Sequence, residues 1–271
     1  MAVLGTAACG DNATFPPRRD PAAPAELEPL ACLPNLDGVI EAGELAPAIG
    51  VTVHYLASPP DVERVVDLVG ATGGDGRTHW DFATDYADDQ AFTVTPASVA
   101  GHWYASSYPA DAFVTSYDPA GTLDSIGRAT GAGLELLGIA SHVADPPEGR
   151  TLLVYQTPVR VLPYPVAEGP LFVSVGQIVN GMVRGLPYAG RDTYEVEVDG
   201  IGSIDTPQLT FTEVHRVHTR VTVEPAVGAT VTRQQVSFFA ECFAEVARAT
   251  SLDDEPAYDF TRTSELRRFG L

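Results

Sequence analysis

From Val51 to the C-terminus the chain consists of short runs of β-branched and aromatic residues. Gly, Pro, Asn and Asp break these runs, and nothing between them is long enough for a crossover helix. Parallel neighbours need such crossovers, usually helical, so the strands must pair antiparallel with their neighbours in sequence. The runs fall at 51–56, 112–117, 123–130, 134–141, 151–162, 171–183, 193–205, 209–224, 230–242 and 246–250. Runs at 65–72 and 77–83 flank Gly73-Gly74-Asp75-Gly76, a hairpin turn by composition. One helix is expected. Thr95-Pro96 places a cap residue before a first-turn proline, Val99 and Trp103 follow at i, i+4, and Pro109 ends the segment. The expected fold class is mainly β: an antiparallel meander forming a curved sheet, half-barrel or barrel with one short helix.

The most regular local pattern is a hairpin. Tyr194, Val196 and Val198 alternate with Glu195, Glu197 and Asp199. On the partner run Phe211, Val217, Val221 and Val223 share one face and Arg216, His218 and Arg220 the other. A turn at Thr206-Pro207-Gln208 sets Glu197 near Arg216 and Glu195 near His218 on a solvated face.

Charge narrows the partners. The chain carries 36 acidic and 16 basic residues, net −20, and every basic residue is Arg. That balance excludes nucleic acid, which needs a basic footprint, and it excludes polybasic docking on anionic lipid. No apolar run approaches the roughly 20 residues of a spanning helix.

At the N-terminus, Leu4-Gly5-Thr6-Ala7-Ala8-Cys9-Gly10-Asp11-Asn12 resembles the processing site of a bacterial lipoprotein. Proline-rich Phe15 to Pro24 then reads as a stiff polar tether. The resemblance implies lipidation at Cys9, an extracytoplasmic location and a membrane partner reached through the lipid anchor. Residues 1–30 form a signal remnant and tether, and 31–271 a single β-rich domain. With Cys9 given to lipid, Cys32 and Cys242 remain. In an oxidising compartment they pair as a disulfide; otherwise they are two buried thiols.

The C-terminal region carries a second resemblance. Residues 194–202, then Leu209-Thr210-Phe211, Val214-His215-Arg216-Val217 and 238–248, are similar to a hairpin pattern in uncharacterised exported bacterial proteins. Those look like antiparallel sheets related to lipoprotein-carrier half-barrels, which implies fold more than function.

Candidate chemistry is sparse. Residues 33–44 align with the twelve-residue EF-hand loop: Asn35 at position 3, Asp37 at 5, Gly38 at the turn, the Val39 carbonyl at 7 and Glu44 at 12. Leu33 occupies position 1 and cannot ligate, so the segment reads either as a weak calcium site or as a turn into a short helix at 41–45. His215 and His218, at i, i+3 on a strand, face opposite ways and cannot share a metal. No G-x-S-x-G or H-E-x-x-H occurs, so no enzyme is expected, although a triad needs no sequence adjacency. Trp80, Tyr86, Trp103, Tyr104 and Tyr108 are either core packing or the lining of a ligand cavity. No cofactor is expected beyond calcium. The leading functional expectation is a binding module holding an apolar small molecule or lipid in a concave sheet. The alternatives are a structural or surface-interaction protein without a cavity, and a cryptic hydrolase.

Overall fold

A computed structural model describes residues 32–270 apart from Ala46 and Asp75; Cys9, the expected lipidation position, lies outside them. Residues Cys32–Leu271 form one compact unit. A four-residue helix α1 (Ala42–Leu45) precedes sixteen strands. These are β1 (Val53–Ala57), β2 (Arg64–Val65), β3 (Ala71–Thr72), β4 (Thr78–Asp81), β5 (Gln90–Val94), β6 (Ala97–Ser98), β7 (Phe113–Ser116) and β8 (Leu123–Thr130). They continue with β9 (Gly133–Ser141), β10 (Leu152–Pro163), β11 (Phe172–Val183), β12 (Leu186–Asp205), β13 (Thr210–Pro225), β14 (Val231–Ala240), β15 (Ala244–Ser251) and β16 (Arg262–Gly270).

The antiparallel curved sheet expected from the sequence is what forms. Its order is β5-β1-β16-β15-β14-β13-β12-β11-β10-β9-β8-β7-β6, with β2 on β16 and the β3–β4 hairpin attached through β4 to β12. That last pairing is the one parallel contact among the described strands. The ladder does not close into a barrel. Its two edge strands, β5 and β6, are instead consecutive in the chain, joined only by Thr95-Pro96. The residue before a proline is pushed toward extended geometry. Thr95-Pro96 therefore bends one strand from edge to edge where the sequence reading placed a helix, and only a 3-10 turn at Ala105–Ser107 is helical there.

Residues directly opposite across a ladder share a face. On the outer face of β13–β16, Val236, Phe238, Ala247, Ala249 and Leu266 are covered by the 58–89 excursion through Val66, Leu68, Trp80 and Phe82, and by Phe260. The Trp80 and Phe82 rings lie 4.9 and 5.4 Å from that of Phe238. Arg268, fully buried, fixes this cover by donating to the Phe82 and Thr84 carbonyls and pairing with Asp89. Asp88 and Asp89 also pair with Arg64. At the other end, Val99, Tyr104, Tyr108 and Ala112 cover Val114, Ile126, Leu137 and Ala140.

The long hairpin forms with Val196 and Val198 buried and Glu195 and Glu197 on the other side. Phe211 leaves the face expected for it: it lies opposite Ile204 in the outer core, while Val217 packs with Val196 and Val198. Two further details differ. Glu195 faces Arg220 and Glu197 faces His218, because the turn spans Thr206 to Leu209, where the Thr206 hydroxyl donates to the Leu209 carbonyl. The charged face is also not uniformly wet. Arg216 and His218 are buried under the outer cover, with Arg216 donating to Asp199, Asp259 and the Leu68 carbonyl.

Candidate functional site on the concave face

The opposite face is concave, because side chains from strands that are not neighbours meet on it. Segment 32–45 closes one end. Ile40 and Leu45 pack on Val196, Val198, Val217, Leu162 and Val166. Ile40 and Val166 exchange two main-chain hydrogen bonds of 3.0 and 2.9 Å. Cys32 and Cys242 form the expected disulfide, with Cα atoms 5.6 Å apart. The Asn35 and Leu36 N–H groups donate to Glu241 Oε2.

Beyond this plug the concave face is polar. Tyr155, on β10, lies over Gly176 of β11, where a Cβ would fall 2.4 Å from the phenol ring. The missing side chain lets the Tyr155 hydroxyl reach across β11 and donate to Asp192 Oδ2 of β12 at 2.5 Å, with the Tyr194 hydroxyl 3.5 Å away. Asp192 Oδ1 is buried without a partner, and burial pushes this carboxyl above the usual carboxylate range against the opposing pull of the Tyr155 hydrogen bond. Burial likewise raises the Tyr155 and Tyr194 phenols.

The row continues on β14–β16. Arg248 donates to Glu245 through Nε and pairs with it through Nη2, at 2.9 and 2.8 Å. Arg267 sits behind, facing Glu265 at 3.1 Å and lying over the Phe92 ring at 4.7 Å. Its Nε has no partner, and its side chain is 4% exposed. Burial lowers the Arg267 guanidinium, and neighbouring Arg248 lowers it further. Tyr55 donates to the Glu245 carbonyl. From the far wall, directly after β7, comes Tyr117, which is 44% exposed. Arg233, Arg248, Asp192 and Glu265 all lie within electrostatic reach of its phenol. Charged side chains from β12, β14, β15 and β16 thus share this face with Tyr117, and Tyr117 and Arg248 keep part of their surface uncovered.

The residues singled out from sequence fall elsewhere. Trp80 belongs to the outer core, while Trp103, Tyr104 and Tyr108 belong to the cover on β7–β9. They form two cores and no shared cavity. In the 33–44 loop, Asn35 Nδ2 donates to Glu44 Oε1, and Asn35 Oδ1 accepts from the Asp37 N–H. Asp37 Oδ1 accepts from the Val39 N–H, and α1 follows. Among the described residues no three His, Cys, Asp or Glu side chains are grouped as a metal ion requires. His215 and His218 do face apart: His218 stacks on Tyr258 at 3.9 Å, and His215 is buried with both ring nitrogens unpartnered.

Sequence reasoning missed the concave cluster because its members come from seven strands or their ends. One local sign was present. In Arg233-Gln234-Gln235-Val236-Ser237-Phe238 polar residues occupy both faces of the strand, and Gln234 and Ser237 are buried on opposite faces.

No family model, curated protein or solved structure matches this chain.

Proposed function

We propose that this chain is an extracytoplasmic, lipid-anchored binding protein whose concave face holds a small amphipathic ligand by an anionic head group. The observation that carries the reading is that half-exposed Tyr117 shares the concave face with Arg233, Arg248, Asp192 and Glu265, which act on its phenol electrostatically. Perturbed titratable groups in a cleft mark functional sites more often than inert ones.

The head group is read as anionic because two arginines, on β14 and β15, keep exposed surface on this face. Glu245 pairs with Arg248, Glu265 lies 3.1 Å from Arg267, and burial raises the Asp192 carboxyl above the usual carboxylate range. Arg233, half exposed, gives Nε and Nη2 to Asp253, and Arg248, a quarter exposed, gives Nε and Nη2 to Glu245, so each brings its Nη1 group and part of its guanidinium surface to a ligand. The tyrosines and Phe172 supply apolar surface for the body of the ligand. The Cys32–Cys242 bridge accords with an oxidising compartment, as the Cys9 reading expects. Native mass spectrometry of protein released from its own membrane tests the reading. A co-purifying acidic amphiphile is expected; a protein that carries no ligand and takes up none when acidic amphiphiles are supplied would refute it.

A second reading, a surface-interaction protein, is favoured by one feature. The outer side of β11 leaves Leu171, Val173, Val175 and Val179 exposed in a row.

A further inference from the structure

The pairing of β4 with β12 assembles a constellation that no sequence motif announces. Trp80 and Ile204 are buried in the outer core, so alternation turns His79 on one strand, and Ser203 and Asp205 on the other, to the opposite face. The register sets His79 directly beside Ser203. His79 Nδ1 is 2.9 Å from Ser203 Oγ, and His79 Nε2 is 3.2 Å from Asp205 Oδ2. The other Asp205 oxygen accepts from the Thr210 hydroxyl at 2.6 Å, which fixes the carboxylate. Close approach of the strands depends on Gly202, where a Cβ would stand 2.1 Å from the Thr78 carbonyl oxygen. The ladder between β12 and β13 shifts register at Ser203, and such bulges re-aim a side chain and release main-chain groups from pairing. The imidazole and the Asp205 carboxylate are about one-third exposed, so the site is open to solvent.

We propose that Ser203, His79 and Asp205 form a hydrolytic site for small carboxylic esters, distinct in its residues from the Tyr155–Arg248 cluster. With its Nε2–H donating to Asp205 Oδ2, His79 offers the Nδ1 lone pair to the Ser203 hydroxyl. Ser203 Oγ attacks the ester carbonyl as its proton passes to Nδ1. The tetrahedral adduct collapses, the C–O bond to the leaving group breaks, and the alcohol departs with the Nδ1 proton. Water then attacks acyl-Ser203, gives its proton to Nδ1, and the acid leaves as Ser203 regains its hydrogen. The net change is ester plus water to acid plus alcohol. Asp205 holds the tautomer as a positioning residue.

The test uses the purified chain with a fluorophosphonate probe and with p-nitrophenyl acetate. Peptide mapping should place the phosphonyl group on Ser203, and Ser203→Ala and His79→Gln should each lower kcat/KM by at least about 100-fold, the usual worth of a general base. Asp205→Asn should lower kcat with KM unchanged, and Asp205→Glu should recover most of it. Mapping on the wild-type chain needs no variant to fold. A probe that leaves Ser203 unmodified while labelling a serine hydrolase alongside, or turnover that survives Ser203→Ala, would overturn the proposal.

Discussion

The Tyr155 hydroxyl and the Asp192 carboxylate meet at 2.5 Å across a strand that neither belongs to, above the bare backbone of Gly176. The contact ties β10 to β12 and leaves the second Asp192 oxygen buried and unpartnered. Because burial raises this carboxyl above its unfolded value, the folded chain holds the proton longer than the unfolded chain does. Stability is then full below the unfolded pKa and falls as pH rises through the folded one. Asp192→Asn keeps an acceptor for Tyr155 and removes the titration. Urea midpoints taken from pH 4 to pH 8 should show the variant gaining on wild type as pH rises, and parallel curves would contradict the assignment.

Gly176→Val is expected to displace Tyr155. A Cβ at this position falls 2.4 Å from the Tyr155 ring and 2.5 Å from Val159, so the larger side chain cannot be accommodated without moving both. A cost of about 1–3 kcal/mol is expected from overpacking. Gly74→Val, at a glycine with open space around it, should cost far less. Chemical denaturation of the two variants side by side makes the comparison.

Much of the sheet was legible because alternation and turn chemistry are local. Tyr194-Glu195-Val196-Glu197-Val198 announces a strand, and Val196 is fully buried as that pattern requires. The register was less legible, because it depends on where the turn falls: with the turn at Thr206–Leu209, Glu195 faces Arg220, two positions beyond His218. The helix read at 95–109 failed because Pro96 sits between two edge strands whose pairing is set by distant partners, β1 and β7. The concave cluster was not legible at all. Tyr117, Asp192, Arg248 and Arg267 carry no spacing in common, and only the curl of the sheet brings them to one groove. His79 and Ser203 lie 124 positions apart and meet through a parallel contact that antiparallel reasoning does not anticipate.

The disulfide clamps the plug to the sheet, spanning 210 residues. Replacing both cysteines by serine should cost about 2–5 kcal/mol, the usual loss for a native bridge. The local consequence is faster amide exchange at Ile40 and Val166, whose mutual hydrogen bonds sit under the same segment. Unchanged exchange there would separate the bridge from the plug.

His215 is buried with both ring nitrogens unpartnered, and burial lowers its pKa even though Glu213, Glu241, Glu168 and Asp37 pull the other way. A depressed imidazole gives stability that is present above the unfolded pKa and is lost as pH falls through the folded one. Acidification from about pH 7 to about pH 5 should therefore destabilise the wild type. His215→Phe should lose less over the same interval, with His218, also depressed by burial, accounting for part of what remains. Equal losses in both proteins would contradict a titrating role for His215.

The claim that the concave groove holds an acidic amphiphile is tested most directly by a fluorescence titration with cis-parinaric acid and, in parallel, its uncharged methyl ester. Arg233 and Arg248 keep exposed guanidinium surface beside their pairs with Asp253 and Glu245, and one lost charge-assisted hydrogen bond costs about 1.5–3 kcal/mol. The acid should therefore saturate a single site, the ester should bind roughly 10–100-fold more weakly, and Arg248→Met should erase the difference between them. Equal binding of acid and ester, no binding of either, or acid binding that is unaffected by Arg248→Met would contradict the claim.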